Sequence, residues 1–280
     1  MILTNKIDLY SHFKMEKNGL LEGYLSFDDE PSKNGCAMVV IAGGGYNHVS
    51  KREQISVARK YREAGFKTFI LHYSTQVKFP TALVEASLAM AYVRQVSAKF
   101  CFDKDKVCGV GFSAGGHLLG CLGIIFDDEI LVNELKKIEF FKNNDIEENV
   151  KPNLMILSYP VISSEKDRCH QGSFNELCCG DNRLIDQLSL EKRVNENSVS
   201  AFIWSTANDG SVPVYSSLSL ALSYHKFKIP FALHVFEKGK HGLSVGTKEV
   251  NDEADLLQAS TDYQKWVELS VNWLKDKGFC

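Results

Sequence analysis

The run Gly111-Phe112-Ser113-Ala114-Gly115 fits the pattern G-x-S-x-G. A serine hydroxyl is a weak nucleophile near neutral pH and needs both exposure and a neighbouring base. A sharp strand-to-helix turn supplies the exposure, and small flanking residues let the backbone make that turn. Here the apolar stretch Lys106 to Gly111 reads as a short strand, and Ala114 to Ile125 as a small-residue helix. In that setting Ser113 is a candidate acyl-transfer nucleophile rather than a turn serine. Attack on a carbonyl creates an oxyanion, which needs fixed N–H donors. The Ala114 amide at the helix start is one candidate. The Gly43-Gly44-Gly45-Tyr46 loop, which fits neither a P-loop nor a dinucleotide fingerprint, offers others.

A base and an orienting acid should then follow the serine in the order acid, histidine. His241 stands in Lys238-Gly239-Lys240-His241-Gly242, a glycine-flanked loop after the run FALHVF. The other histidines fit less well. His12 precedes the sheet, and His72 and His234 lie within strand runs. His225 is near a helix end, His48 in the glycine loop and His170 in a polar stretch. His117 is one helical turn beyond Ser113, which aims it away from the hydroxyl. For the acid, Asp209 follows the run SAFIWS in Ala207-Asn208-Asp209-Gly210; its competing role is to cap a helix starting near Ser211. Asp167, Asp181 and Asp186 read as solvated.

These residues require a sheet to hold them. A continuous apolar run at Ala37–Ala42 and strand-like runs at Lys67–Tyr73, Asn153–Ser158, Ser200–Ser205 and Phe231–Phe236 alternate with helical periodicity over 52–64, 80–99, 211–226 and the C-terminal stretch. That rhythm predicts an α/β architecture with a mostly parallel central sheet flanked by helices. Residues 20–27 alternate apolar and polar side chains, as expected of a half-exposed edge strand. Helix 211–226 is expected to bury Val214, Leu218, Ala221 and Leu222. The final helix is expected to bury Tyr263, Trp266, Val267, Ser270, Trp273 and Leu274. Two stretches break the rhythm: 126–151, charged and read as a surface excursion, and 161–198, rich in Asp, Glu, Asn and Cys. The chain is therefore read as a single domain over 1–280, with 161–198 inserted as a cap or lid.

The GGGY loop at 43–46, Arg52-Glu53, GFSAGGH at 111–117, NDGSVP at 208–213 and KGKHG at 238–242 resemble serine hydrolases of the α/β-hydrolase fold. The resemblance is to the bacterial acetyl esterase and acetylxylan-esterase-like carboxylesterases. It implies Ser113 as nucleophile, Asp209 as acid and His241 as base. It further implies an oxyanion hole from the amides of Gly44, Gly45 and Ala114. The implied reaction is hydrolysis of short-chain carboxylic esters, such as acetyl groups on sugars or xylo-oligosaccharides, without metal or cofactor. Its rate should fall in acid as the base takes a proton. Lipase-like relatives carry HGGG, whereas Ala42 stands at the histidine position here, so the loop's support must be missing or replaced. Two rivals keep the fold. A prolyl-oligopeptidase-like peptidase or amidase would need an added selecting domain, for which 280 residues leave no room. A non-catalytic ligand-binding scaffold would lack a member of the triad.

Composition narrows the rest. With Lys+Arg 32 against Asp+Glu 35, there is no basic excess of the kind nucleic acid attracts. No apolar run approaches the roughly 20 residues that cross a bilayer. Met1 to Leu20 lacks the pattern of a secretory signal. The eight cysteines are scattered, as reduced thiols in a leaderless chain are, and a cytoplasmic location is expected. Cys169 and His170 with Cys178 and Cys179 lack the paired short spacing of a zinc site. The expected partner is a small-molecule or oligosaccharide ester, with no nucleic acid and no membrane. The oligomeric state, a homodimer included, is open.

Overall fold

In the computed structural model, which describes residues 3–18, 21–166 and 168–280, eight strands form one sheet. They are β1 (Asn5–Asp8), β2 (Tyr24–Phe27), β3 (Ala37–Ile41), β4 (Lys67–His72), β5 (Val107–Phe112), β6 (Leu154–Ser158), β7 (Ala201–Thr206) and β8 (Phe231–Phe236). Their order across the sheet is β1-β2-β4-β3-β5-β6-β7-β8. From β4 to β8 every neighbour is parallel, while β1 and β2 run antiparallel at one side. The run of β3 is apolar throughout because both its faces are covered. Val39 and Ile41 face one core with the helices Thr81–Gln95 and Ala114–Ile124. Met38 and Val40 face the other, with Tyr61 of helix Ile55–Glu63 and Trp266 of the C-terminal helix.

Four expectations need correction. The segment at 20–27 is no edge strand: β2 lies between β1 and β4, and Leu20 is outside the described residues. The edge is β1, whose four residues NKID carry no apolar run. The stretch 126–151 is not a mere excursion. It folds as the helices Glu129–Leu135, Glu139–Lys142 and Ile146–Val150, which bury Leu131, Leu135, Phe141 and Val150 in the core. Its charges occupy the outer face of a helical period.

Helix 211–226 begins later, at Tyr215, and is rotated: Leu220, Ala221 and Tyr224 face inward, whereas Leu218 and Leu222 are exposed. The Tyr224 hydroxyl donates to the Val199 carbonyl, which ties that face down. In the C-terminal helix Trp266, Ser270, Val271 and Leu274 are buried, with Val267 and Trp273 only partly covered.

Candidate active site

The C-terminal ends of parallel strands leave loops on one edge of the sheet, where ligand sites of open α/β sheets form. The glycine loop follows β3, Ser113 follows β5, Asp209 follows β7 and His241 follows β8. Ser113 adopts φ 51° and ψ −119°, a left-handed turn costly for a residue with a side chain. Its neighbours make that turn feasible. A Cβ on Gly111 would collide with the Gly115 carbonyl, and one on Gly115 with the carbonyls of Ile41 and Ala42. The turn thus lets the helix after Ser113 start hard against the end of β3.

The three polar side chains meet in sequence. His241 Nε2 lies 2.9 Å from Ser113 Oγ, and His241 Nδ1 lies 2.7 Å from Asp209 Oδ2. The Asp209 side chain is 1% exposed. Its other oxygen, Oδ1, accepts the amides of Ser211 and Val212 at 2.8 and 2.9 Å. The turn-capping role and the role beside histidine are therefore both filled, by different oxygens of one carboxylate. Ionised Asp209 can only accept, so Nδ1 of His241 donates to it and Nε2 is left to face the serine hydroxyl.

Among the described residues the amides of Gly44, Gly45 and Ala114 donate to no protein acceptor. All three border Ser113: Gly44 and Gly45 line the same cleft, of about 410 Å³, and Ala114 opens the helix after it. The geometry of the glycine loop is held by Glu53. This carboxylate is buried in a short 3₁₀ turn, accepts the Gly43 amide at 2.8 Å through Oε2 and accepts the Tyr159 hydroxyl at 2.7 Å through Oε1. Burial raises the Glu53 pKa, against the opposing pull of those two hydrogen bonds. Tyr159 in turn accepts the Ser244 amide and sets its ring edge-on to His241, 5.0 Å between centroids. With Ala42 where lipase-like chains carry histidine, Glu53 supports the loop instead.

A second support comes from His117. As expected from its helical position, it does not meet the Ser113 hydroxyl; it is buried and does something else. Its Nε2 lies 2.8 Å from the Leu188 carbonyl and so must carry the proton, which makes Nδ1 the acceptor for the Tyr46 hydroxyl at 2.8 Å. Burial pushes its pKa down to about 4, so the imidazole is neutral at neutral pH. One ring joins the glycine loop, the helix after Ser113 and the segment at 161–198. Neither Glu53 nor His117 is visible as a support from spacing. The signal available for Glu53 was indirect: the missing histidine at 42 demanded a replacement.

The segment 161–198 contributes to the cleft. Helices Gln171–Cys178 and Asn182–Gln187 lie within it, and His170, Gly172 and Glu176 line the cleft together with Arg52 and Gly242. Asp181 caps the second helix through Arg183, Asp186 pairs with Lys192, and Asp167 falls outside the described residues. Cys178 is buried while Cys179 is exposed, and no group of three or more His, Cys, Asp or Glu side chains could hold a metal ion among the described residues.

The BD-FAE family profile matches residues 25–223. Over 240 residues the chain is 35% identical to endo-1,4-β-xylanase B of Butyrivibrio fibrisolvens, covering 82% of this chain and 35% of that protein. Over 224 residues it is 26% identical to the acetylxylan esterase of Xylanibacter ruminicola, covering 76% of this chain and 42% of that protein. The chain thus spans 35% to 42% of the length of these curated relatives. Among solved structures, the acetyl ester-xyloside bifunctional hydrolase from Caldicellulosiruptor lactoaceticus matches with a TM-score of 0.80 at 29% identity. That match covers 98% of this chain and 97% of the other. The fold is the α/β-hydrolase fold.

Proposed function

The chain belongs to the BD-FAE family, and on that footing we propose that it is a serine hydrolase of short-chain carboxylic esters, with acetylated sugars or xylo-oligosaccharides as the substrate class. The observation that carries the reading is the unbroken contact Ser113 Oγ, His241 Nε2, His241 Nδ1, Asp209 Oδ2 beside three unused amide donors. The substrate class draws on two similar proteins, an acetylxylan esterase and an acetyl ester-xyloside hydrolase.

In the proposed cycle His241 takes the Ser113 proton as Oγ attacks the ester carbonyl. The amides of Gly44, Gly45 and Ala114 receive the charge on the carbonyl oxygen. His241 then returns the proton to the leaving alcohol oxygen, and the C–O bond breaks to give an acyl-serine and free alcohol. A water gives its proton to His241 and attacks the acyl carbon. Collapse of the second intermediate returns the proton to Oγ and releases the carboxylic acid. Asp209 holds the imidazole tautomer throughout. The segment 161–198 serves as a cap that shapes the alcohol side of the cleft, a reading supported by His170, Gly172 and Glu176 on its wall.

The test is Ser113→Ala, assayed on p-nitrophenyl acetate and with a fluorophosphonate probe. Loss of turnover by at least about 10³-fold together with loss of labelling is expected. Retained turnover would sink the assignment.

A further inference from the structure

His170 stands immediately before the helix Gln171–Cys178 and caps it with its own ring. The Ser173 amide donates to His170 Nδ1 at 3.2 Å, and the Ser173 hydroxyl lies 2.8 Å from the same nitrogen. An amide N–H can be received only by an unprotonated nitrogen, so the neutral ring carries its proton on Nε2. Among the described residues that Nε2 has no protein partner. The ring is half-buried, lines the cleft that holds Ser113 and His241, and rests against the glycine loop. Its Cε1 is 3.6 Å from where a Cβ on Gly45 would stand. Asp, Asn or Ser would cap the helix at least as well. What an imidazole adds is a donor, with a fixed tautomer, on a ring that lines the cleft.

Burial, with the nearby His241 charge, holds the His170 pKa below its ordinary value, so the group is an uncharged donor at neutral pH. Shared cleft position and substrate chemistry indicate which half of an ester it meets. The leaving alcohol oxygen has to come within hydrogen-bond reach of the base to take its proton. His170 and His241 line one cleft, and an acetyl group offers no acceptor besides its carbonyl oxygen, so the further oxygens a cleft donor can reach belong to the alcohol half.

We propose that His170 is a specificity residue, whose Nε2–H donates to a hydroxyl or ring oxygen on the alcohol half of the substrate. It rests on the sugar-ester reading above. p-Nitrophenol offers no such neighbouring oxygen, so the two kinds of ester separate the effects. The experiment compares wild type, His170→Ala and His170→Gln on acetylated xylo-oligosaccharides and on p-nitrophenyl acetate, with fluorophosphonate labelling of Ser113 as the check on the triad. In His170→Ala the preference for the sugar ester, as a ratio of kcat/KM values, should fall about fivefold to tenfold, chiefly through KM. His170→Gln, which keeps an N–H donor, should recover most of that ratio, and all three proteins should label. An unchanged ratio in His170→Ala, or a Gln variant as poor as the Ala variant, would overturn the inference and leave the esterase reading standing. Wild type that labels and cleaves nitrophenyl acetate but no sugar acetate would overturn the substrate class and this inference together.

Discussion

Glu53 Oε2 accepts the amide of Gly43 at 2.8 Å, from a carboxylate buried beneath the glycine loop and bonded on its other oxygen to Tyr159. The bond turns a loop into a fixed set of donors. Gly43 is pinned by its amide, while its carbonyl accepts the Ser50 amide, and among the described residues the amides of Gly44 and Gly45, which line the cleft with Ser113, are not consumed. An oxyanion hole is effective only when its donors need no reorganisation as charge develops, so in the proposed mechanism this support would act directly on the barrier.

Glu53→Ala should therefore lower kcat on p-nitrophenyl acetate by about 10-fold to 100-fold with little change in KM, since the donors act on the transition state. It should also cost about 2–4 kcal/mol of stability, because a buried amide and a buried hydroxyl each lose a partner. Glu53→Gln keeps an acceptor for Gly43 and should fall between wild type and Ala. Steady-state kinetics with urea unfolding check both statements, and an Ala variant with native kcat would remove the role assigned to Glu53.

Asp209→Asn keeps the size of the side chain and an acceptor for the Ser211 and Val212 amides, yet it can present an N–H to His241 Nδ1. The imidazole would then carry its proton on the nitrogen that faces Ser113, the wrong one for a base. A loss in kcat of about 10³-fold to 10⁴-fold is expected, with the melting temperature little changed. A variant that loses less than about tenfold would show that Asp209 does not set the tautomer.

His117 gives the protein a pH-dependent stability. Its pKa lies at about 4 in the folded chain, against an ordinary 6.5. Between those values the unfolded chain binds the extra proton and the folded chain does not. Its contribution is thus complete above about pH 6.5 and is lost as the pH falls toward 4, to the extent of about 3 kcal/mol. His72, also pushed down to about 4 by burial, acts in the same direction. Unfolding free energies of wild type and His117→Gln, measured from pH 7.5 to 4.5, should differ in slope by the His117 share. Parallel curves would contradict it.

Gly115→Ala tests the elbow. The new Cβ would meet the carbonyl oxygens of Ile41 and Ala42, which are backbone and have no rotamer to yield. Destabilisation of about 1–3 kcal/mol is expected, together with slower fluorophosphonate labelling as the helix start and Ser113 shift away from the glycine loop. Native stability and labelling in that variant would mean that the close approach is not required.

Most of the scaffold and the three side chains that meet, Ser113, His241 and Asp209, were legible in the chain itself, for a definite reason. Strands buried on both faces need apolar runs, as AMVVIA and the AFIW of SAFIWS are, and a nucleophile turn admits only small neighbours, as GFSAG shows. Chain order then narrows the acid and the base to loops after the last two strands. Where local patterning failed, another force decided. The edge strand NKID has no apolar signature because pairing with β2 makes it a strand. Leu218 and Leu222 look like a buried stripe, but the helix is turned by the Tyr224 anchor to Val199.

Only the folded chain decided how the site is held. Glu53 lies 106 residues from Tyr159, and His117 is 71 from both Tyr46 and Leu188, so no spacing rule joins them. Hydrogen bonds between buried polar groups depend on which segments the sheet order stacks together, and periodicity carries no record of that. The same holds for His170, which reads as one more polar residue in a charged stretch until the fold lays its ring against Gly45.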